Sequence, residues 1–302
     1  MKNFKLKLKE NLSVFNIICC IILALYVIIL FSIMAWGLMN SFKHFDQFAK
    51  DKNGFPELAK WAEEGKSVFQ NYLTVFEWFK FKEKSSAPTY YIYHMFLFSC
   101  LYSIGCSFSI VLSTSLMAYA CALFPCKMSK VIYAIVMFAI IFPIIGSLPS
   151  EMSVARQFGF YNNFPGNYFL KFSFTNMYFL IIYEAFRGVP KDYKEAAEMD
   201  GASMFNIMFN IMYRMIFNIL GAVFILQFVT FWNDYNTPML YLPSFPTLAL
   251  GLVRIVDSTS GPISQTPVKL AASMVVLIPL LIIFSVFQKY LMGNITAGGI
   301  KA

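Results

Sequence analysis

Residues 11–42 read NLSVFNIICCIILALYVIILFSIMAWGLMNSF, without one Asp, Glu, Lys or Arg. A charge near the bilayer centre costs about 2.5–3.5 kcal/mol on insertion scales, so charge-free runs mark where hydrocarbon can sit. Outward from this stretch, residues 85–126, 131–150, 215–233 and 270–288 are equally free of charge. Each spans roughly 28 Å or more as a helix, enough for the hydrocarbon core. A sixth candidate, 167–186, encloses Lys171 and Glu184 near its ends, where long side chains reach the interface. With 58% hydrophobic residues and a mean hydropathy of +0.61, six such runs leave too little polar surface for a water-soluble fold. The expectation is an all-α polytopic membrane protein of six transmembrane helices. Its parts are a basic N-terminus and first span (1–40), an extracytoplasmic loop (41–90) and a five-span core (91–302).

Lys and Arg near span ends favour the cytoplasm. An inside N-terminus puts Lys2, Lys5, Lys7, Lys9, Lys127, Lys130, Arg187, Lys191, Lys194, Arg214, Lys289 and Lys301 inside. The tally outside is equal, but eight of those residues lie in 41–84 among seven carboxylates. Charge count alone leaves orientation open, and the basic N-terminal flank points inward. The net charge of +8 reads as contact with anionic membrane lipid, with no nucleic acid partner. The first run is too long for a signal peptide's apolar region, and no small-residue cleavage pattern follows it. The six Cys lie in or at the ends of predicted spans, and Cys19-Cys20, His44 and His94 lack metal-ligand spacing, so no metal site is expected.

Two segments are too irregular for plain spans. Residues 41–90 are too long for a simple connection and are expected to hold helices of their own. Residues 235–269 carry Pro238, Pro243, Pro246, Pro262 and Pro267, which forbids one continuous helix. Their apolar part, YLPSFPTLALGLV, either lines a pathway or lies in the interface. In the second span, Ser99, Ser103 and Ser107 recur at four-residue spacing beside Gly105, reading as close helix packing or as a hydroxyl ladder.

Between the fourth and fifth candidates, residues 187–215 read RGVPKDYKEAAEMDGASMFNIMFNIMYRM. Pro190 suits a first helical turn, Asp192 and Glu195 favour the positive end of the helix dipole, and Gly201 suits the residue past the helix end. Lys191 with Glu195 and Lys194 with Glu198 are i, i+4 pairs on the wet side. A second helix is expected from Ala202 to Met215, with Gly201 as the corner.

The order EAAEMDGAS resembles the EAA loop of ATP-binding-cassette importer permeases. AYACALFPC (118–126), FWNDYNTPML (231–240), AASMVVLIPLLIIFSVFQKYLMG (271–293) and AGGIKA (297–302) extend the likeness to the MalG-like carbohydrate permeases over most of the chain after about residue 90. The resemblance implies a multi-pass cell-membrane subunit with both termini cytoplasmic. Glu195, Ala196, Ala197, Asp200, Gly201 and Ala202 would dock on a cytoplasmic ATPase dimer. A second permease subunit and an extracytoplasmic solute-binding protein complete the implied assembly, which imports a di- or oligosaccharide. ATP and Mg would be held by the ATPase, and this chain carries no cofactor. Arg214 and Asn218 stand where the family usually has prolines, so the second coupling helix is expected to run straight into span five.

Trp232, Asn233, Asp234 and Tyr235 close span five. A carboxylate and an amide bordering membrane mark either a solute pathway or a helix-end cap with interfacial aromatics. Glu184 and Arg187 read as a pair at the cytoplasmic interface. GKS at residues 65–67 lacks the earlier glycine of a phosphate loop, since Lys60 stands there. No catalytic constellation stands out in the spans, so no catalytic residue is assigned. A stand-alone channel or ion-coupled carrier needs intramembrane ionisable groups, which the five clean spans lack. A permease for peptides shares the loop.

Overall fold

The computed structural model describes residues 14–82, 88–124, 126–142 and 146–292. The basic N-terminal lysines, the start of the first charge-free run, Pro125 and the terminal AGGIKA lie outside the described residues. Helices run Val14–Ser41 (α1), Phe45–Lys50 (α2), Leu58–Glu63 (α3), Gln70–Trp78 (α4), Ile92–Leu123 (α5), Lys127–Ile141 (α6), Leu148–Gln157 (α7), Phe164–Leu170 (α8), Tyr178–Arg187 (α9), Asp192–Met199 (α10), Met204–Asn206 (α11), Tyr213–Met215 (α12), Phe217–Trp232 (α13), Asn236–Tyr241 (α14), Leu248–Val256 (α15) and Thr266–Met292 (α16). A π-helical turn, Ile207–Met212, joins α11 to α12. Strands Lys80–Phe81 (β1) and Tyr90–Tyr91 (β2) pair antiparallel.

Among the described residues, Asn16–Ser41, Ile92–Leu123 and Thr266–Val286 are long and apolar enough to cross a membrane. Met204–Met215 with Phe217–Trp232 passes the same test as a pair, bent by 73°. The other two expected spans take a different form. Helix α6 stops at Ile141, with Phe142 extended at φ −104°, ψ 91°, the conformation a following proline favours; Pro143 comes next in the sequence.

The fourth expected span, 167–186, is two helices rather than one, because residues 171–177 leave the helical path. Ser173, Thr175 and Asn176 offer the backbone other partners. The Thr175 N–H donates to Ser173 Oγ at 3.4 Å and the Asn176 amide to the Ser173 carbonyl at 3.2 Å. From α5, Ser113 donates to that carbonyl at 2.9 Å, and Thr114 Oγ1 accepts from Asn176 at 2.9 Å. The ten-residue α9 is then only about 15 Å long.

The expected straight run into span five is also corrected. The chain bends at Ile216 (φ −105°, ψ 9°) without proline. The π-helical turn just before it supplies a recognised cause of a sharp kink. Met212, Ile216 and Leu220 are buried in one cluster, so the bend is held by the apolar surface it covers.

The chain divides into two compact units. One takes in residues 14–79 and 255–275. Its segment after α1 holds three short helices, as its length demanded, and it is tied by polar contacts. Asn71 donates to the carbonyls of Ser41 (2.8 Å) and Lys43 (2.9 Å), Trp61 donates to Phe42 (2.9 Å), and Gln47 bridges Phe55 and Glu57. Lys43 is fully buried and donates to the Asp51 carbonyl at 3.0 Å.

The other unit, residues 80–254 and 276–292, is built on α5, which packs against both α9 and α13. Ser99, Ser103 and Ser107 are buried on it, and Ser99 Oγ accepts the Leu248 N–H at 2.7 Å; these serines lie inside the packing. Gly105 admits α8, because a Cβ there would sit 2.2 Å from the Tyr168 ring. The proline-rich stretch is broken as expected. Its irregular backbone is covered and paired: Leu242 and Thr247 are buried, and Asn162 exchanges hydrogen bonds with Tyr241 and Ser244.

Candidate functional site

Helix α10 forms where the sequence expected the coupling helix. Asp192 and Glu195 occupy its first turn, where the helix dipole favours negative charge. Its C-terminus is closed by Gly201 at φ +76°, the left-handed conformation glycine adopts without a Cβ penalty. The Ala202 N–H donates to the Ala197 carbonyl (3.0 Å) and the Gly201 N–H to the Glu198 carbonyl (3.1 Å). That bond pattern is the Schellman cap. No heavy atom lies within 4 Å of where a Gly201 Cβ would project, so backbone conformation, not crowding, calls for glycine.

Of the named loop residues, Ala197 alone is buried, within the cluster that joins Tyr119 of α5, Phe186 of α9 and Ile216 of the bend. Ala202 packs on the edge of the same cluster. Glu195, Ala196, Asp200 and Gly201 are exposed, as are the apolar side chains of Met199, Met204 and Phe205. The small Ala197 lets α10 approach the cluster closely, while its outer face stays free. Lys194 pairs with Glu198 at 3.6 Å and lies 4.9 Å from the Phe124 ring centroid. The expected Lys191–Glu195 pair is not among the ion pairs of the described residues. Glu184 and Arg187 form an exposed pair at 3.1 Å. Tyr213 OH donates to Ser115 Oγ at 3.0 Å, tying the bent segment to α5.

At the other end of α13, the four named residues do not converge. Trp232 is buried, and its indole N–H lacks a partner among the described residues. Asn233 folds its amide onto the Val229 carbonyl at 2.9 Å. Tyr235 is exposed. Asp234 accepts the Thr237 N–H at 3.1 Å, capping the following turn, and the Tyr102 OH at 2.7 Å. Sequence reasoning missed Tyr102, as well as Asn167, whose Oδ1 accepts a weak 3.9 Å contact from Cys106 Sγ. Lys171, read only as an interface residue, stands 5.8 Å from the Phe231 ring centroid. Tyr102 and Asp234 are 132 residues apart, so local spacing carried no signal for that pair.

Residues 97–296 match the family model described as the binding-protein-dependent transport system inner membrane component. The chain belongs to that family. The permease is 26% identical over 282 residues to the diacetylchitobiose uptake system permease protein NgcG of Streptomyces coelicolor, covering 92% of its own length and 86% of the relative's. It is 27% identical to the trehalose/maltose transport system permease protein MalG of Thermococcus litoralis, over 79% and 83% of the two chains. The arabinooligosaccharides transport system permease protein AraQ of Bacillus subtilis is 31% identical, a match spanning 38% of the permease and 40% of that relative. The likeness to MalG-like permeases read from the sequence stands. In fold, the permease superposes on a chain from the crystal structure of a bacterial ABC transporter involved in the import of the acidic polysaccharide alginate. The TM-score is 0.72 at 17% identity, with 92% of this chain and 96% of that chain covered.

Proposed function

We propose that the permease is one of two membrane subunits of an ATP-driven importer for a di- or oligosaccharide, crossing the membrane six times with both termini cytoplasmic. In this reading α6, and α9 with its neighbouring turns, complete the crossings where a single long helix is absent. A solute-binding protein delivers the sugar outside. A pair of cytoplasmic ATPases, which hold ATP and Mg, closes on the exposed face of α10. Residues 41–90 form an outer loop, and 187–215 form the coupling segment.

The observation that carries this reading is the Schellman-capped α10, keyed by Ala197 into a cluster shared with α5, α9 and the bend at Ile216. Close-packed interiors transmit displacement instead of absorbing it. A push on Glu195, Ala196 and Asp200 therefore reaches three membrane helices together. The ATPases do the chemistry, while the permease supplies differential contacts in its two states. Relatives named for arabinooligosaccharides, diacetylchitobiose and trehalose/maltose support a sugar as the solute.

The test is co-purification in mild detergent of an ATPase with this chain and with its Gly201→Val variant, membrane insertion of both being verified. An ATPase accompanying only the unaltered chain supports the reading. If none accompanies either chain and uptake ignores the substitution, the importer reading fails.

A further inference from the structure

Helix α4 packs one side inward and leaves the other bare. At 3.6 residues per turn, Phe69, Leu73 and Phe76 fall within about 60° of one another around the axis, Phe69 standing at the N-cap. They are 58%, 53% and 55% exposed. Asn71 and Val75, on the opposite side of the helix, are buried. Two phenylalanines and a leucine sharing one face are costly to leave in water, and such a face marks a contact surface.

The ties between α4 and α1 decide what covers it. Asn71 donates to the carbonyls of Ser41 and Lys43, and the Tyr72 hydroxyl hydrogen-bonds the Ser41 hydroxyl at 2.7 Å. Helix α4 is therefore fixed where α1 ends. The α1 helix is a membrane-crossing candidate with none of its most apolar window buried, and its exposed apolar side chains continue as far as Leu38. Leu38 precedes Ser41 by three residues, about 4.5 Å of helix rise. Trp36 marks the same level: its indole N–H donates to Asn53 at 3.3 Å, the arrangement of an aromatic at a membrane boundary, with an apolar body and a polar tip. The bare face of α4 continues this boundary, since the Phe69 ring lies edge-on to Phe42, 5.7 Å between centroids, just past the end of α1.

We propose that α4 is an interfacial anchor whose Phe69, Leu73 and Phe76 sit in the boundary between lipid headgroups and acyl chains, in the leaflet where α1 ends. Apolar faces of interfacial helices reach about 5–10 Å into that boundary, and α4 is tied within that distance of the last lipid-exposed residue of α1. The anchor fixes the height of residues 41–79 above the hydrocarbon. A protein partner would have to displace lipid to cover the same face. The proposal requires that α1 crosses the membrane and holds whether or not the chain imports a sugar.

The test places the photo-reactive residue p-benzoylphenylalanine singly at Phe69, at Phe76 and, as a control on the flank of the helix, at Thr74, in the full chain in its native membranes. At Phe69 and Phe76 it keeps an aromatic ring at an exposed position, so the fold is retained. After irradiation the chain is purified and its adducts are identified by mass spectrometry. The expected result is phospholipid joined to positions 69 and 76 at a yield at least about tenfold above position 74, because only the apolar face of an interfacial helix enters the acyl region. The proposal is overturned if positions 69 and 76 join a protein, which would make the face a subunit or binding-protein interface. It is equally overturned if neither position yields more lipid adduct than position 74, which would place the face in water.

Discussion

Gly201 allows the proposed coupling geometry to be tested by conformation alone. At φ +76° an ordinary L residue pays about 1–2 kcal/mol, and no neighbouring atom lies within 4 Å to add a steric charge. Asn visits this region more readily than other residues, while a β-branched side chain there is an outlier. Retention of the corner should therefore fall in the order Gly, Asn, Ala, Val. For Gly201→Ala the capped geometry should lose roughly a factor of 5–30 in population, the equilibrium equivalent of 1–2 kcal/mol. Hydrogen exchange reads this directly, since the amides of Gly201 and Ala202 make the two cap bonds. Both should exchange faster by about that factor in the Ala variant, with the core amides of α5 unchanged. Co-purified ATPase should follow the same ranking. If the loss instead tracks side-chain volume, so that Asn fares worse than Ala, the positive φ is not what holds the loop and the cap argument fails.

Tyr102→Phe removes a 2.7 Å bond to the Asp234 carboxylate and should destabilise the permease by about 1.5–3 kcal/mol. Tyr102 and the Thr237 N–H use different Asp234 oxygens, so Asp234→Asn keeps its carbonyl oxygen for Thr237 and offers its amide N–H to the Tyr102 hydroxyl oxygen, and it should cost clearly less; equal losses in detergent thermal unfolding would refute that role. Asn71→Leu strips partners from the Ser41 and Lys43 carbonyls at about 1–3 kcal/mol per unpaired group. Limited proteolysis within residues 41–79 should then accelerate, and an unchanged digestion pattern would show that this buried amide does not hold the segment.

The charge-free runs, the short helix before Gly201 and the broken proline-rich stretch were legible in the sequence because each depends on chemistry a few residues long. Exclusion of charge from lipid, dipole preference in a first turn and the lack of a Cβ at a left-handed corner all act locally. Tertiary structure alone decided the rest. Ser173 leaves the helical path because Ser113 of α5 rewards its carbonyl from 60 residues away. The 73° bend persists because Met212, Ile216 and Leu220 are buried together in one cluster. Asp234 reads alone as either a cap or a pathway residue, and only the structure shows it accepting both the nearby Thr237 N–H and the distant Tyr102 hydroxyl. Sequence spacing reports the energy a segment gains by itself. It is silent on hydrogen bonds and apolar contacts that exist only once distant segments have met.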